Sequence, residues 1–86
     1  MTILKFGAKW CGPCSALGQT ILSLEESEQA KITSYDIDSS EPSVVELVKK
    51  YSIRSIPTMV KLDESGSEVS RVNGAQSKEK LLAFIG

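Results

Sequence analysis

The sequence predicts an α/β domain with the element order βαβαββα, a four-stranded mixed sheet with helices on both faces. Three observations carry that expectation. The extended apolar run of Ile3, Leu4 and Phe6 gives way to a helical pattern and then to a second extended run. A strand–helix–strand order of this kind over 2–38 demands a parallel pair joined by a right-handed crossover. Further on, Asp63-Glu64-Ser65-Gly66 is turn chemistry between two strand-like runs, which predicts an antiparallel hairpin. Finally, 86 residues with a hydrophobic fraction of 41% suit one domain, spanning 1–86.

Taken in order, residues 2–7 read as a central strand. Residues 11–29 read as one helix, with Cys14, Leu17, Ile21 and Leu24 at helical spacing and facing the core. Glu25, Glu26 and Glu28 fall near its C-terminus, where negative charge is mildly unfavourable, and read as a solvated face. Residues 32–38 read as the second strand. Ser39-Ser40-Glu41-Pro42 carries helix-start signals, and Val44, Val45, Val48 and Tyr51 then mark one face of a helix over 42–51. The hairpin strands run from Thr58 to Leu62 and from Val69 to Val72. Gly74 breaks the chain, and Ser77 is placed to cap a last helix with Leu81, Leu82 and Ile85 facing inward.

Both cysteines of the sequence lie in Trp10-Cys11-Gly12-Pro13-Cys14, where the first strand gives way to the first helix. Positions i and i+3 share a helix face, so the two thiols are placed to close a disulfide across one turn. Cys11 falls at the helix N-terminus, where unpaired N–H groups and the helix dipole favour a thiolate, the form that attacks disulfides. Pro13 fits the first turn because its missing N–H has no partner to lose there, and Gly12 leaves the approach to Cys11 open. Three readings follow. A zinc site needs about four ligands, and with no His and no third Cys it would have to be shared between two chains. A structural staple closing so short a loop constrains the unfolded chain little. A redox pair suits C-x-x-C beside a βαβ pattern, and this is the reading adopted. Cys11 also follows a strand of a parallel pair, at the carboxyl edge where such sheets place their sites.

Composition narrows the remaining classes. Ten basic and eleven acidic residues give a net charge of -1 with no basic run, which argues against nucleic acid as a partner. No stretch approaches the roughly 20 apolar residues of a membrane span. Met1–Trp10 lacks the build of a signal peptide, its apolar run being short and interrupted by Lys5, so a cytoplasmic location is expected. In that setting a cysteine pair is more often catalytic or metal-binding than structural.

The motif resembles the active site of the thioredoxin family, and the resemblance covers nearly the whole chain. Phe6-Gly7-Ala8-Lys9 is similar to the approach to that motif and Ile37-Asp38 to the end of the next strand. Tyr51-Ser52-Ile53-Arg54-Ser55-Ile56-Pro57-Thr58 resembles the cis-proline segment. Gly66 and Gly74-Ala75-Gln76-Ser77-Lys78 resemble the later turns. The resemblance implies a minimal thioredoxin fold without the family's first strand and helix. It implies that Cys11 is the nucleophile of a disulfide reductase and Cys14 the resolving thiol, with Gly12 and Pro13 in support. It also implies a cis Ile56–Pro57 bond against the cysteines, with Ile56 offering its backbone to an extended substrate by β-augmentation. Trp10, which by itself also reads as a partly buried aromatic rim, a reading compatible with docking, becomes a docking surface, and Gly74, otherwise a turn glycine, leaves room for a partner backbone. The implied partners are disulfide-containing proteins and a thioredoxin-reductase-like electron donor. No cofactor and no metal are implied, and the expected state is a monomer.

Three positions depart from the family pattern. Lys5 stands where thioredoxins usually carry a buried Asp, Ser34 where they carry a Lys, and Gln19 where a kinking Pro is common. A cation in place of an anion beneath a thiol pair is expected to alter its pKa values, and Asp36 is placed by strand alternation to pair with Lys5. Two rival functions remain. A glutaredoxin-like, glutathione-dependent reductase suits the length but not the Gly-Pro dipeptide, and Val72-Asn73-Gly74-Ala75 is a poor match for a glutathione-binding turn. A redox-fold binding subunit of a larger enzyme is the other.

Overall fold

Alternation along Thr2–Gly7 sends Leu4 and Phe6 to one side and Ile3, Lys5 and Gly7 to the other, and this strand, β1, seeds two cores. The computed structural model describes residues 1–86, in which β1 is followed by α1 (Gly12–Leu22), α2 (Glu26–Gln29), β2 (Ile32–Asp36), α3 (Pro42–Lys50), β3 (Thr58–Leu62), β4 (Glu68–Asn73) and α4 (Lys78–Ile85). The sheet order is β2-β1-β3-β4. β1 pairs parallel with β2, Lys5 opposite Ser34, and antiparallel with β3, Phe6 opposite Thr58. Helices cover both faces. Ile3 and Met59 pack with Leu17 of α1 and with Leu81 and Ile85 of α4. Leu4, Phe6 and Val60 pack with Tyr51, and with Leu47 and Val48 of α3. The predicted mixed sheet and its two helical layers are therefore present.

The single helix expected over 11–29 is two. Ser23 turns its Oγ onto the Thr20 carbonyl at 2.6 Å, and the N–H groups of Ser23 and Leu24 bond three residues back rather than four. A serine competing for a backbone carbonyl in this way ends a helix. Gln29 then reaches back to the Leu24 carbonyl at 2.8 Å, which satisfies a group the break leaves free. Leu24 is buried as its spacing predicts, but from outside the helix.

Other differences are smaller. β2 ends at Asp36 because Asp36 Oδ1 accepts the Asp38 N–H at 2.8 Å and bends the chain. Val45 is 38% exposed and Leu82 40% exposed, against the inward positions expected for them. Each lies one residue, about 100° of helix, from the stripe that packs on the sheet, and Leu47 and Phe84 pack against the cores, partly buried. The hairpin forms as predicted. Asp63 Oδ1 accepts the N–H groups of Ser65 and Ser67, and Gly66 adopts φ +86°, a backbone region that disfavours side chains.

Ser77 caps α4, its Oγ accepting the Lys80 N–H at 3.2 Å. Ser77→Ala is expected to cost about 1 kcal/mol, the usual scale for a lost N-cap. In a domain of this size that lowers the melting temperature by roughly 4–8 °C, which differential scanning calorimetry reads directly.

Candidate active site

The site begins at the turn between β1 and α1. Cys11 is the N-cap of α1, with φ −94° and ψ 113°, and its Sγ accepts the Cys14 N–H at 3.2 Å. Pro13 lies in the first turn, where no N–H is required. The two cysteines are joined as a disulfide with Cα atoms 5.2 Å apart. In this oxidised state both are covered, Cys11 to 7% and Cys14 to 5% exposure. Gly12 is exposed, and a Cβ there would meet no atom within 4 Å.

Gly7 is a site residue that the sequence reading passed over. A Cβ on it would approach Cys14 Sγ at 3.3 Å, so any side chain would press on the buried sulfur. A glycine closing the strand just before a C-x-x-C motif was the available signal.

Ile56–Pro57 reaches the same end of the sheet by register. Thr58 opposes Phe6, so Pro57 falls level with Gly7, against which Cys14 packs. The Ile56–Pro57 bond is cis. Pro57 is fully buried, and its carbonyl accepts the Gly74 N–H at 2.8 Å. The backbone N–H and C=O of Ile56, outside every helix and strand, make no hydrogen bond to the rest of the chain. Gly74 adopts φ +84°, and a Cβ there would meet nothing within 4 Å.

Trp10 is 70% exposed, which excludes a packed rim. Its ring is nevertheless fixed, because Nε1 donates to Asp38 Oδ2 at 2.7 Å. The sequence marks Asp38 only as a strand end. Its acidic side chain just past β2, at the sheet edge that carries the cysteines, was the cue for a second role.

Lys5 projects from β1 onto the α1 side, where its Nζ lies 3.6 Å from the point a Gly18 Cβ would occupy. Lys5, Gly7, Cys14, Gly18, Ser34 and Asp36 all line one open cavity of about 750 Å³. The expected Lys5–Asp36 ion pair does not form. Asp36 turns its carboxylate to the Asp38 N–H instead, which closes the Asx turn after β2. Without a counter-ion, burial alone pushes the Lys5 ammonium below its ordinary pKa.

Comparison with known proteins agrees with this geometry. The family model described as thioredoxin matches residues 1–86. A thioredoxin of Chlamydia trachomatis is 38% identical over 86 residues, spanning 99% of this chain and 79% of its own length. Thioredoxin C-2 of Corynebacterium nephridii is 36% identical over 85 residues, spanning 96% and 74%. Among solved structures, Fasciola hepatica thioredoxin superposes with a TM-score of 0.78 at 32% identity, covering 98% of this chain and 76% of that one. These matches do not favour the glutathione-dependent reading. The chain belongs to the thioredoxin family, and its Cys11–Cys14 pair makes it a dithiol–disulfide oxidoreductase.

Proposed function

We propose that Cys11 is the attacking thiolate and Cys14 the resolving thiol in the reduction of protein disulfides. The observation that carries these roles is the Cys14 N–H aimed at Cys11 Sγ from the first turn of α1. A hydrogen bond to the charged form favours that form. In the dithiol state, Cys11 sulfur attacks one sulfur of the substrate disulfide. The S–S bond breaks, and the departing sulfur leaves as a thiolate that takes a proton from water. Cys14 then gives up its proton and attacks Cys11 sulfur. The second substrate thiolate leaves, and the Cys11–Cys14 disulfide forms. Two electrons have passed from the pair to the substrate.

The substrate docks as an extended strand on the free backbone of Ile56, beside Pro57, with Trp10 as an apolar platform and Gly74 leaving the approach clear. Residues 1–86 act as a single cytoplasmic domain and a monomer, with no nucleic acid as partner, and a thioredoxin-reductase-like donor restores the dithiol. No helix is long and apolar enough to cross a membrane. The reading is tested by turnover of a disulfide-bonded protein with NADPH and either thioredoxin reductase or glutathione with its reductase. Turnover only in the first arm is expected. Turnover only with glutathione overturns the donor, and single-cysteine variants that keep full biological activity would favour a binding subunit.

Lys5 tunes the pair electrostatically. An ammonium on the floor of the cavity that Cys14 lines stabilises thiolates and lowers their pKa. Lys5→Met is expected to raise the thiol pKa values and Lys5→Asp to raise them further, as read from thiolate absorbance against pH. Each unit is about 1.4 kcal/mol of lost thiolate stabilisation. Superimposable native and Lys5→Met curves would reduce Lys5 to a packing residue. Stability gives a second readout. Burial disfavours the charged form, so the unfolded chain holds the Lys5 proton more tightly than the fold does. That cost is fully present at neutral pH and fades as pH rises from the lowered folded value to the ordinary 10.5. Lys5→Met should therefore melt above the native protein at pH 7, with the gap closing beyond 10.5.

A further inference from the structure

Beside the docking backbone, one buried hydroxyl has more acceptors than protons. Thr58, the first residue of β3, is 1% exposed. Its Oγ1 lies 2.7 Å from the Ser55 carbonyl oxygen and 2.7 Å from Asn73 Oδ1 on the neighbouring strand β4. A hydroxyl carries a single proton and donates once. The Ser55 carbonyl can only accept, so it takes that proton. Two oxygens then face each other at 2.7 Å across the Asn73 contact, unless the amide presents its nitrogen. The oxygen and nitrogen of an asparagine amide are assigned from such networks, and here the network requires the rotated amide. Asn73 Nδ2 donates to Thr58 Oγ1, and Thr58 Oγ1 donates to the Ser55 carbonyl. The same amide group lies 3.4 Å from Ser55 Oγ, within reach of the hydroxyl as an acceptor.

The chain of bonds runs from β4 into the turn Ser55–Thr58, the segment that carries Ile56 with its unpaired N–H and C=O. A second tie, from Gly74 N–H to the Pro57 carbonyl, follows directly in the sequence. Asn73, the last residue of β4, and Gly74 just after it therefore hold this turn. The Asn73 tie is the one made by a side chain. Thr58 and Asn73 are also register partners in the β3–β4 ladder, which fixes the distance between them.

We propose that Asn73 is a positioning residue for substrate docking, its amide N–H orienting the Ser55–Thr58 turn so that Ile56 presents its backbone to an incoming strand. The role rests on the docking reading above, and the test separates the two. Asn73→Asp keeps the shape and removes both donors. The Thr58 proton is then drawn to the carboxylate, and the Ser55 carbonyl is released. Asn73 is exposed, so the variant is expected to fold, which far-UV circular dichroism checks. Two quantities are measured. One is the backbone amide NMR signals of Ser55, Ile56 and Thr58. The other is turnover of a disulfide-bonded protein, with the rate toward a small aromatic disulfide as reference. The expected result is displaced signals and roughly a fivefold rise in KM, the scale of one lost hydrogen bond. The values of kcat and the small-disulfide rate stay unchanged. Unmoved signals would overturn the network and leave the docking reading standing. Displaced signals with a native KM would overturn the positioning role together with the docking reading. An equal fall in the small-disulfide rate would show a general loss of the site and overturn the proposal as well.

Discussion

Cys11→Ser is expected to reduce no protein disulfide above the uncatalysed background, whereas Cys14→Ser is expected to react once and stop with the substrate attached. Coverage does not assign these roles, because the two residues are about equally buried in the disulfide state. The hydrogen bond is what supports the proposed assignment. Cys11 ends the approach from β1 and caps α1, and the Cys14 N–H donates to its sulfur at 3.2 Å. Cys14 is itself inside the helix, with its sulfur packed against Gly7. On the proposed reading, Cys11 is the thiol expected to attack once the pair is reduced. Serine at position 11 is too weakly acidic to attack. Serine at position 14 leaves the attack intact and removes the second step, so the mixed disulfide persists. Mass spectrometry after mixing with a disulfide-bonded protein, together with alkylation rates near neutral pH, distinguishes the variants. A trapped adduct on Cys14 of the Cys11→Ser protein, or faster alkylation at Cys14 in the native dithiol, would reverse the assignment.

The cysteines were legible because their chemistry and spacing are local. Helix phase, capping and thiol reactivity all follow from five consecutive residues, Trp10 to Cys14. What was not legible in the site depends on contacts across the chain. Gly7 matters only because β1 ends against Cys14. Asp38 matters because β2 lies beside β1, which brings its carboxylate to Trp10 Nε1 across a separation of 28 residues. Asn73 opposes Thr58 only through the register of the hairpin. The expected Lys5–Asp36 pair failed for a related reason. Alternation placed both on one face, but Asp36 had a nearer donor in the Asp38 N–H, two residues on.

The fold was legible to a similar depth. Period-2 and period-3.6 patterns located every strand and the three longer helices, and the turn residues at 63–66 set the hairpin. The break in the first helix escaped because it is decided by side-chain hydrogen bonds at Ser23 and Gln29, while the apolar spacing runs on unbroken to Leu24. Val45 and Leu82 escaped because periodicity fixes a stripe to within about one residue, and the sheet decides which neighbour it accepts.

Phe6→Ala is expected to bring the largest loss of stability of any single truncation considered. Phe6 is fully buried on the central strand, clustered with Leu4, Tyr51, Val60 and Leu62. Its ring lies 5.6 Å from that of Tyr35 on β2, with the planes 23° apart. It therefore ties three strands and the end of α3 to one face. Emptying such a position costs about 3–5 kcal/mol, the lost transfer energy plus the cavity left behind. A chain of this length has roughly 4–13 kcal/mol to lose at the usual stability per residue. The variant is expected to unfold at a much lower urea midpoint with an unchanged slope, because the surface exposed on unfolding is nearly the same. Function follows the fold here. Gly7 is the next residue and sets the wall behind Cys14, so the site is lost with the strand and not before it. Phe6→Leu separates the two effects. It keeps most of the volume, should cost less, and should reduce protein disulfides at the native rate wherever it is folded. A Phe6→Ala loss under about 1 kcal/mol would mean that the α3 face collapses into the gap. A Phe6→Leu protein that is folded yet slow would mean that Phe6 shapes the cysteine turn itself, and not merely the layer that carries it.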